Sequence, residues 1–430
     1  MNMKKIVLLT FVVVLLSACG GYDNGELIGV QNRPVWNPTD PYGMVYIPQG
    51  SYNMGPSDQD VPFANVSQAK TVSVGAFYMD ETEITNNEYR QFTKWVRDSI
   101  LRQYLVEQFP EDYGTPVLDY ADEMETGDYR IDWSKKIRWD DEEVRRILED
   151  EMFLPEHERL DAHRQFDTRE FIYKYEVLDV QKASRKAMRE KQKGKPAPKG
   201  SRDRSGFIKS DVKVKIYPDT LVWSHDYSYS FNDPYTKNYY WHAAFDDYPV
   251  VGVNWKQANA FSHWRTKMMN EYLRRTKQPT LPDFRLPTES EWEYASRGGL
   301  EASPYPWGGP YTRNIQGCFL ANFKPLRGNY VADGGLKAIK TASYNPNGYG
   351  LFDMAGNVAE WTSNAYDEAG FSFSHDMNMD YSYNAEFPDD REKEEGVSEV
   401  LKRKIIRGGS WKDVAYFIQT SSRSFEYQDT

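Results

Sequence analysis

The last third of the chain is rich in residues that make turns. From residue 296 onward Gly, Asn, Pro and aromatic side chains dominate, and few stretches show the period of a helix or a strand. Glycine and asparagine tolerate backbone conformations that end regular elements, while aromatic side chains can fill a core between loops. We therefore expect a loop-rich fold with little regular secondary structure in this part.

Regular elements are expected mainly before residue 300. Thr85 with Glu88, and Thr288 with Glu291, have the spacing of a capping box and predict two helix starts. Residues 255–267 show the apolar spacing of a third helix. Strand-like patterns occur at residues 44–48, 71–79 and 249–253. This mixture predicts an α+β fold.

Residues 98–235 differ from the rest of the chain because charged side chains crowd them. Acidic clusters occur at residues 140–143 and 149–151, and residues 182–204 carry ten Lys and Arg against two acidic residues. We expect a long, charged, helical insertion here. The basic run is interpreted either as a docking site for an acidic partner or lipid headgroups, or as a solvated helix followed by a flexible linker.

The first residues have the pattern of a bacterial lipoprotein signal. Lys4 and Lys5 precede an apolar run of about eleven residues, which is shorter than the ~20 needed to span a bilayer. Leu-Ser-Ala-Cys follows, so Cys19 is the expected lipidation site; the alternative is an ordinary cleaved signal with an incidental cysteine. Gly20, rather than Asp, favours the outer membrane, and we expect the periplasmic face.

We accordingly divide the chain into a signal peptide (1–18), a lipid-anchored tether (19–41) and one domain (42–430) that the insertion interrupts at about 98–235. The net charge of the whole chain is −11, or 51 − 64 = −13 without the two lysines of the leader. A surface this acidic argues against general nucleic-acid binding. The two cysteines exclude a disulfide scaffold.

No sequence pattern selects an active site. The six histidines include no i, i+4 pair, and neither a phosphate-binding loop nor a nucleophile elbow occurs. Residues 347–361 (NGYGLFDMAGNVAEW) combine oxygen side chains with glycine turns. Asp353 and Glu360 could join loop carbonyls around Ca²⁺, which prefers 6–8 oxygen ligands. The alternative is a tight loop held by Asx hydrogen bonds.

Five sequence blocks resemble the formylglycine-generating enzymes, the sulfatase-modifying factor family. The blocks span roughly residues 42–97 and 240–425 in the family's order, and they read IPQGSYNMG (47–55), ETEITN (81–86), RLPTESEWE (285–293), residues 347–361 and RGGSW (407–411). The resemblance implies an α+β fold related to C-type lectins. The chain stops at Thr430, a few residues short of the strand that usually closes this fold, so we expect either a truncated chain or a missing last strand.

The resemblance also has implications for the copper and calcium sites of the family. The enzymes bind Cu(I) through two cysteine thiolates shortly after the Gly-Gly-Ser turn, and the matching positions here are Asp413 and Ile418. We therefore expect a pseudoenzyme without oxidase activity. The family's structural calcium positions are better preserved. One site would match Asn322, Phe323, Asp333 and Gly335, and the other Asp353, Gly356, Val358 and Glu360, with Phe323, Gly335, Gly356 and Val358 contributing carbonyls.

A narrower resemblance is to the GldK/PorK family of lipoproteins, which serve the type IX secretion and gliding-motility machinery. It rests on the leader, on GELIGV (25–30), on residues 79–92, on YPDTLVW (217–223) and on the insertion. It implies a periplasmic ring at the outer membrane, formed by self-association and with a GldN/PorN-type periplasmic partner. An enzyme acting through an unrecognised site and a glycan-binding lipoprotein are the alternatives.

Overall fold

The structure is a computed structural model of the 430-residue chain. It describes residues 39–56, 68–119, 124–159, 163–179, 183, 207–226, 228–230, 232–326, 329, 331, 335–381 and 398–430. The expected leader, Cys19, nearly all of the tether and nearly all of the basic run at 182–204 lie outside the described residues. No helix within the described ranges combines the length and apolar character needed to cross a membrane.

The described residues form small antiparallel sheets and helices of very different length. The strands are β1 (Met44–Ile47), β2 (Gly50–Met54), β3 (Lys70–Val74), β4 (Phe77–Asp80), β5 (Gly114–Asp119), β6 (Met124–Ile131), β7 (Ile172–Leu178), β8 (Ile208–Lys215), β9 (Glu360–Ala365), β10 (Arg403–Arg407) and β11 (Ser424–Tyr427). The helices are α1 (Asn86–Gln108), α2 (Pro110–Tyr113), α3 (Glu142–Met152), α4 (Val222–Asp226), α5 (Pro234–Asn238), α6 (Trp255–Arg275), α7 (Glu289–Arg297) and α8 (Gly370–Phe373). Short 3₁₀ turns occur at Glu156–Glu158, Thr168–Glu170, Ala243–Phe245 and Glu399–Lys402.

Among the named strands, every pair joins strands that are consecutive in the chain except β1 and β4, which pair across β2 and β3. β1 pairs with β4, β2 with β3, β5 with β6 and β7 with β8, each as a two-stranded antiparallel sheet. The remaining sheet has three strands in the order β11-β10-β9, and its central strand β10 is followed directly by the Gly408-Gly409 turn. The expected strand at 71–79 is therefore two strands, because Gly75 and Ala76 interrupt it between β3 and β4.

The prediction of a strand at residues 249–253 was wrong. Pro249 forms an isolated bridge to Thr85, and Val250 donates a backbone hydrogen bond to Ile84, but the pairing extends no further. Pro249 cannot donate to a ladder, and Gly252 has φ +74° and lies against the backbone of Asp219, where a Cβ would come within 2.2 Å of a carbonyl oxygen. The apolar residues of this segment are therefore packed in a loop.

Helix starts were predicted correctly because capping is a local interaction. At α1 the Thr85 side chain accepts from the backbone N–H of Glu88, whose carboxylate accepts from the Thr85 N–H at 2.8 Å. The same reciprocal pair joins Thr288 and Glu291 at α7. Asn254 and Gln257 form a third capping box, which begins α6 and which the sequence reading had not identified. Each box satisfies N–H groups that have no partner inside the helix.

Removing one of these caps should have a measurable cost. We expect Thr288→Ala to lower the free energy of unfolding by about 1 kcal/mol, because the N–H of Glu291 then loses its acceptor. Urea denaturation of the variant beside the unmodified chain measures this. Thr288→Ser, which keeps the hydroxyl, is the control and should cost much less; equal losses in the two variants would contradict the capping role.

Residues 98–235 combine helix with strand, whereas a mainly helical segment was expected. The described part contains the end of α1, the β5–β6 hairpin, α3 and the β7–β8 hairpin. It is also packed onto the rest of the domain: Tyr173 of β7 contacts Phe92 of α1 edge to face at 5.4 Å, and Phe92 contacts Phe261 of α6 at 5.8 Å. Val212 and Val214 alternate with exposed residues along β8 and form a buried apolar face. The high charge of the segment hid this alternation from the sequence analysis.

A second core holds together several of the sequence blocks that carry the family resemblance. Trp292 of α7 is fully buried and packs with side chains of β1, β2 and β3 and with Leu351 and Met354 from the loop after residue 347. Between α7 and β9, no described residue lies in a helix or a named strand. This part of the chain is positioned by side-chain-to-backbone hydrogen bonds and by its contacts with α7, as the turn-rich composition predicted.

Candidate functional site

The loop that precedes β9 brings two carboxyl groups into a poorly solvated position. Asp353 is buried, has φ +53°, and its Oδ2 accepts a hydrogen bond from the N–H of Ala342 at 2.6 Å. Glu360 begins β9, and its Oε2 accepts from the indole N–H of Trp292 at 2.6 Å. Positive φ values at Gly356 (+82°) and Asn357 (+58°) turn the chain between them.

Burial makes ionisation of these carboxyl groups costly. Burial raises the pKa of Asp353 to about 6, although the Ala342 hydrogen bond acts in the opposite direction. Burial likewise raises the pKa of Glu360 to about 7, with Trp292 lowering it and the charge of Asp353 raising it further. A bound dication would remove this cost, since opposite charge favours the ionised form.

Glu83 is a third acidic residue at this position, and the sequence reading gave it no role. Its carboxylate accepts from the side-chain amide of Asn357 at 2.7 Å and from the N–H of Val358 at 3.1 Å. Burial and the charges of Asp353 and Glu360 raise its pKa well above the usual value for glutamate. Its position inside the ETEITN block was the only signal, and the contact spans more than 270 residues of chain.

The loop contains groups of the kinds that the expected calcium site requires, namely the carboxyl groups of Asp353 and Glu360 and backbone oxygens. No residue that the structure describes donates a hydrogen bond to the carbonyl of Gly356 or Val358. Over the same ranges, no group of three or more His, Cys, Asp or Glu side chains is arranged to hold a metal ion alone. A ligand set with only Asp353 and Glu360 as carboxylates must therefore rely on carbonyl oxygens, which Ca²⁺ accepts readily.

Two residues of the other expected calcium site, Asn322 and Gly335, lie beside this loop. The backbone N–H of Asn357 donates to the carbonyl of Asn322 at 2.8 Å, and the Asn322 side chain donates to the Asn357 Oδ1 at 3.2 Å. Gly335 approaches the Asn322 amide oxygen so closely that a Cβ would lie 2.7 Å from it. Phe323 is buried, and Asp333 lies outside the described residues. The structure thus brings Asn322 and Gly335 together and joins them to the second loop.

The two positions expected for copper-binding thiolates have structural roles here. Asp413 Oδ2 accepts from the N–H and the hydroxyl of Ser410, at 2.9 and 2.6 Å, and so closes the turn that follows Gly408-Gly409. Ile418 is fully buried in an apolar cluster with Tyr305, Phe323 and other side chains. Cys318 is exposed, and it is a free cysteine.

A buried ion network holds β10 against α7, and sequence reading did not predict it. Arg407 of β10 donates to Glu293 at 2.6 Å and lies 3.0 Å from a carboxylate oxygen of Glu289. Arg297 pairs with Glu293 at 2.8 Å, and Arg423 pairs with Glu289 at 2.6 Å. Burial alone would lower the pKa of Arg407, but the charges of Glu289 and Glu293 raise it. This network fixes the strand from which the Gly408-Gly409 turn begins.

Several known proteins are similar to parts of this chain. The inactive C-alpha-formylglycine-generating enzyme 2 of Bos taurus is 37% identical over 170 residues, which is 39% of this chain and 40% of that protein. The formylglycine-generating enzyme of Streptomyces coelicolor is 39% identical over 118 residues, 27% of this chain and 32% of that enzyme. The serine/threonine-protein kinase pkn1 of Chlamydia pneumoniae is 35% identical over 167 residues, 39% of this chain and 20% of the kinase.

These matches span well under half the length of each relative. Among solved structures, PvdO from Pseudomonas aeruginosa is similar with a TM-score of 0.42 and 14% identity, over 90% of this chain and 88% of that one. The family model described as sulfatase-modifying factor enzyme 1-like domain matches residues 31–430, which is most of the chain. The chain therefore belongs to the sulfatase-modifying factor enzyme 1-like domain family.

Proposed function

We propose that this chain is a non-catalytic, structural member of its family. The observation that carries the proposal is the use of Asp413 and Ile418 in a turn and in a core, at the positions where the resemblance expects two thiolates. A carboxylate and a branched alkyl group are poor ligands for Cu(I), which prefers soft sulfur donors. The name of the bovine relative, inactive C-alpha-formylglycine-generating enzyme 2, supports the same interpretation.

The cellular role we propose follows the narrower resemblance to the GldK/PorK lipoproteins. The chain would be anchored by lipid at Cys19 in the outer membrane and face the periplasm. There it would self-associate into a ring of the type IX secretion and gliding-motility machinery, together with a GldN/PorN-type partner. The insertion at about 98–235 would provide the contacts that the catalytic members of the family do not make.

The proposed cofactor is structural Ca²⁺ rather than a catalytic metal. Asp353, Glu360 and the carbonyls of Gly356 and Val358 would hold one ion. Asn322, Asp333 and the carbonyls of Phe323 and Gly335 would hold another. The support is the raised pKa of both Asp353 and Glu360 and the direct hydrogen bonds between the two loops through Asn357. In this role the ions tie down loops that contain no regular secondary structure.

Purification of a tagged full-length chain from membranes tests the proposed role. We expect electron micrographs of the extract to show a large ring that contains one dominant partner, and labelling to place the lipid on Cys19. A monomer without a stable partner would contradict the ring. Oxygen consumption with a cysteine-containing peptide would contradict the non-catalytic assignment, and glycan binding abolished by loop-aromatic substitutions would favour the binding alternative.

A further inference from the structure

A basic, aromatic surface stands out on this acidic protein. The loop at residues 130–139 (RIDWSKKIRW) has four cations and one carboxylate, in a chain with a net charge of −11. Trp133 and Trp139 are 44% and 41% exposed. With side chains of α1 and with Lys267 of α6, residues of this segment line two neighbouring grooves, of about 440 and 350 Å³. The lining also includes two carboxylates of α1, Glu107 and Asp98, and Asp98 pairs with Arg97.

The first groove has an indole wall. Trp95 of α1 and Trp133 stack with ring centroids 5.3 Å apart, and Lys267 lies over Trp95 at 5.2 Å. Arg102 lies over Trp133 and is held there by hydrogen bonds to the carbonyls of Asp132 and Lys135. Contacts within the chain thus hold the side chains of the groove in place. Ligand binding should therefore cost little side-chain conformational entropy.

Several cations around the grooves have no carboxylate partner among the residues that the structure describes. These are Arg130, Lys136 and Lys267; Lys135 forms no ion pair within 4 Å, although its charge helps to lower the pKa of Asp132. Arg138 is different, because it pairs with Asp112 at 2.9 Å. Unpaired cations beside an apolar groove favour a ligand that carries carboxylates next to an apolar side chain, and the net negative charge elsewhere steers such a ligand to this surface.

We propose that this surface binds an acidic, extended segment of a partner protein. Carboxylates of the segment pair with Lys135, Lys136 and Lys267, and an apolar side chain between them enters the groove beside Trp95 and Trp133. Ser99 and Gln103 of α1 line the same groove and offer hydrogen bonds to the segment's backbone. Concave grooves suit a chain that can enter them, whereas a flat lipid surface would contact only the rim. This inference does not depend on the ring proposed above.

Fluorescence anisotropy with a labelled peptide tests the proposal on the full-length chain. The probe is a short peptide of aspartate and glutamate around a central leucine–phenylalanine pair, and its counterpart carries asparagine and glutamine instead. We expect the acidic peptide to bind more tightly, with an affinity that falls as salt is added. Lys135→Glu/Lys136→Glu should weaken binding about tenfold or more, which corresponds to about 1.4 kcal/mol.

A matched variant separates the surface from net charge. Lys237→Glu/Lys277→Glu alters two exposed lysines on other elements by the same total charge and should bind the acidic peptide as the unmodified chain does. Trp133→Ala, with its fold checked by circular dichroism, should also weaken binding because the indole wall is lost. Equal loss in both lysine pairs, or equal affinity for the two peptides, would overturn the proposal. Binding to anionic vesicles without binding to the peptide would overturn it in favour of a membrane surface.

Discussion

Replacing Arg407 with methionine should lower the free energy of unfolding by about 3–5 kcal/mol, the largest stability effect that we expect from a single substitution. Arg407 and Glu293 are fully buried, and the guanidinium also donates to the carbonyls of Thr420 and Ser422. Methionine fills a similar volume but donates no hydrogen bond. The variant leaves Glu289 and Glu293 buried with one guanidinium fewer, and it leaves two carbonyls without their donor.

Urea denaturation followed by tryptophan fluorescence measures this loss. The control is Lys340→Met, which removes a cation from an exposed pair with Asp247. Exposed pairs contribute about 0–1 kcal/mol, so this variant should unfold close to the unmodified chain. A similar small loss for Arg407→Met would mean that the buried network does not hold β10 against α7. Because the Gly408-Gly409 turn follows β10 directly, the variant should also loosen the turn that Asp413 closes.

Calcium should stabilise the chain at neutral pH, and Glu360→Gln should abolish the part of the effect that comes from the site of Asp353 and Glu360. A ligand that binds only the folded state adds about 2.7 kcal/mol to the free energy of unfolding when its free concentration is about a hundred times its dissociation constant. Thermal unfolding at pH 7.5 with and without calcium measures the shift. The matched control is Glu301→Gln, which changes an exposed glutamate between α7 and β9. This variant should keep the full stabilisation by calcium. If calcium leaves the unfolding temperature of the unmodified chain unchanged, the proposed sites are contradicted.

The pH dependence without divalent cations has a definite sign. The folded pKa values of Asp353, about 6, and Glu360, about 7, lie above the roughly 3.9 and 4.3 of an unfolded chain. The folded state therefore holds protons that the unfolded state has released. The stability that these two groups contribute is fully present below about pH 4 and is lost as the pH rises through about 7.

Calcium should change that dependence. A bound dication replaces the protons of Asp353 and Glu360, so its stabilising effect should be larger at pH 7.5 than at pH 5, where protons compete for the same carboxylates. Unfolding curves at both pH values, with and without calcium, test this. Equal calcium effects at the two values would show that the ion binds elsewhere. Without calcium, Glu360→Gln should reduce the loss of stability between pH 5 and 7.5, since one buried group no longer ionises.

Local features of the fold were predicted from the sequence, and long-range ones were not. The capping boxes at Thr85 and Thr288 depend on residues three positions apart, so the pattern alone located both helix starts. The expected strand at 249–253 failed because a continuous apolar run does not distinguish a strand from a buried loop. The insertion was expected to be mainly helical, yet its described part combines helices with the β5–β6 and β7–β8 pairs, and the alternation of apolar residues in β7 and β8 was not recognised.

The candidate site shows the same division between near and distant residues. Asp353 and Glu360 could be identified together because they lie in one short loop, and the sequence alone selected both. Glu83 comes from the other end of the domain, and only the fold places its carboxylate on Asn357 and Val358. The same holds for the pairing of Arg407 with Glu289 and Glu293, more than 110 residues earlier in the chain. No local period or spacing carries such information.

The sequence by itself determined the family blocks, the helix starts, the turn-rich last third and the presence of Asp413 and Ile418 at the positions where the resemblance expects two thiolates. Only the tertiary structure decided what those two residues do, which carboxyl groups are buried together and where unpaired cations meet an indole-lined groove. The physical reason is that capping and turn formation are settled between neighbours in the chain. Burial, pKa shifts and charge pairing depend on what distant segments bring to the same point in space.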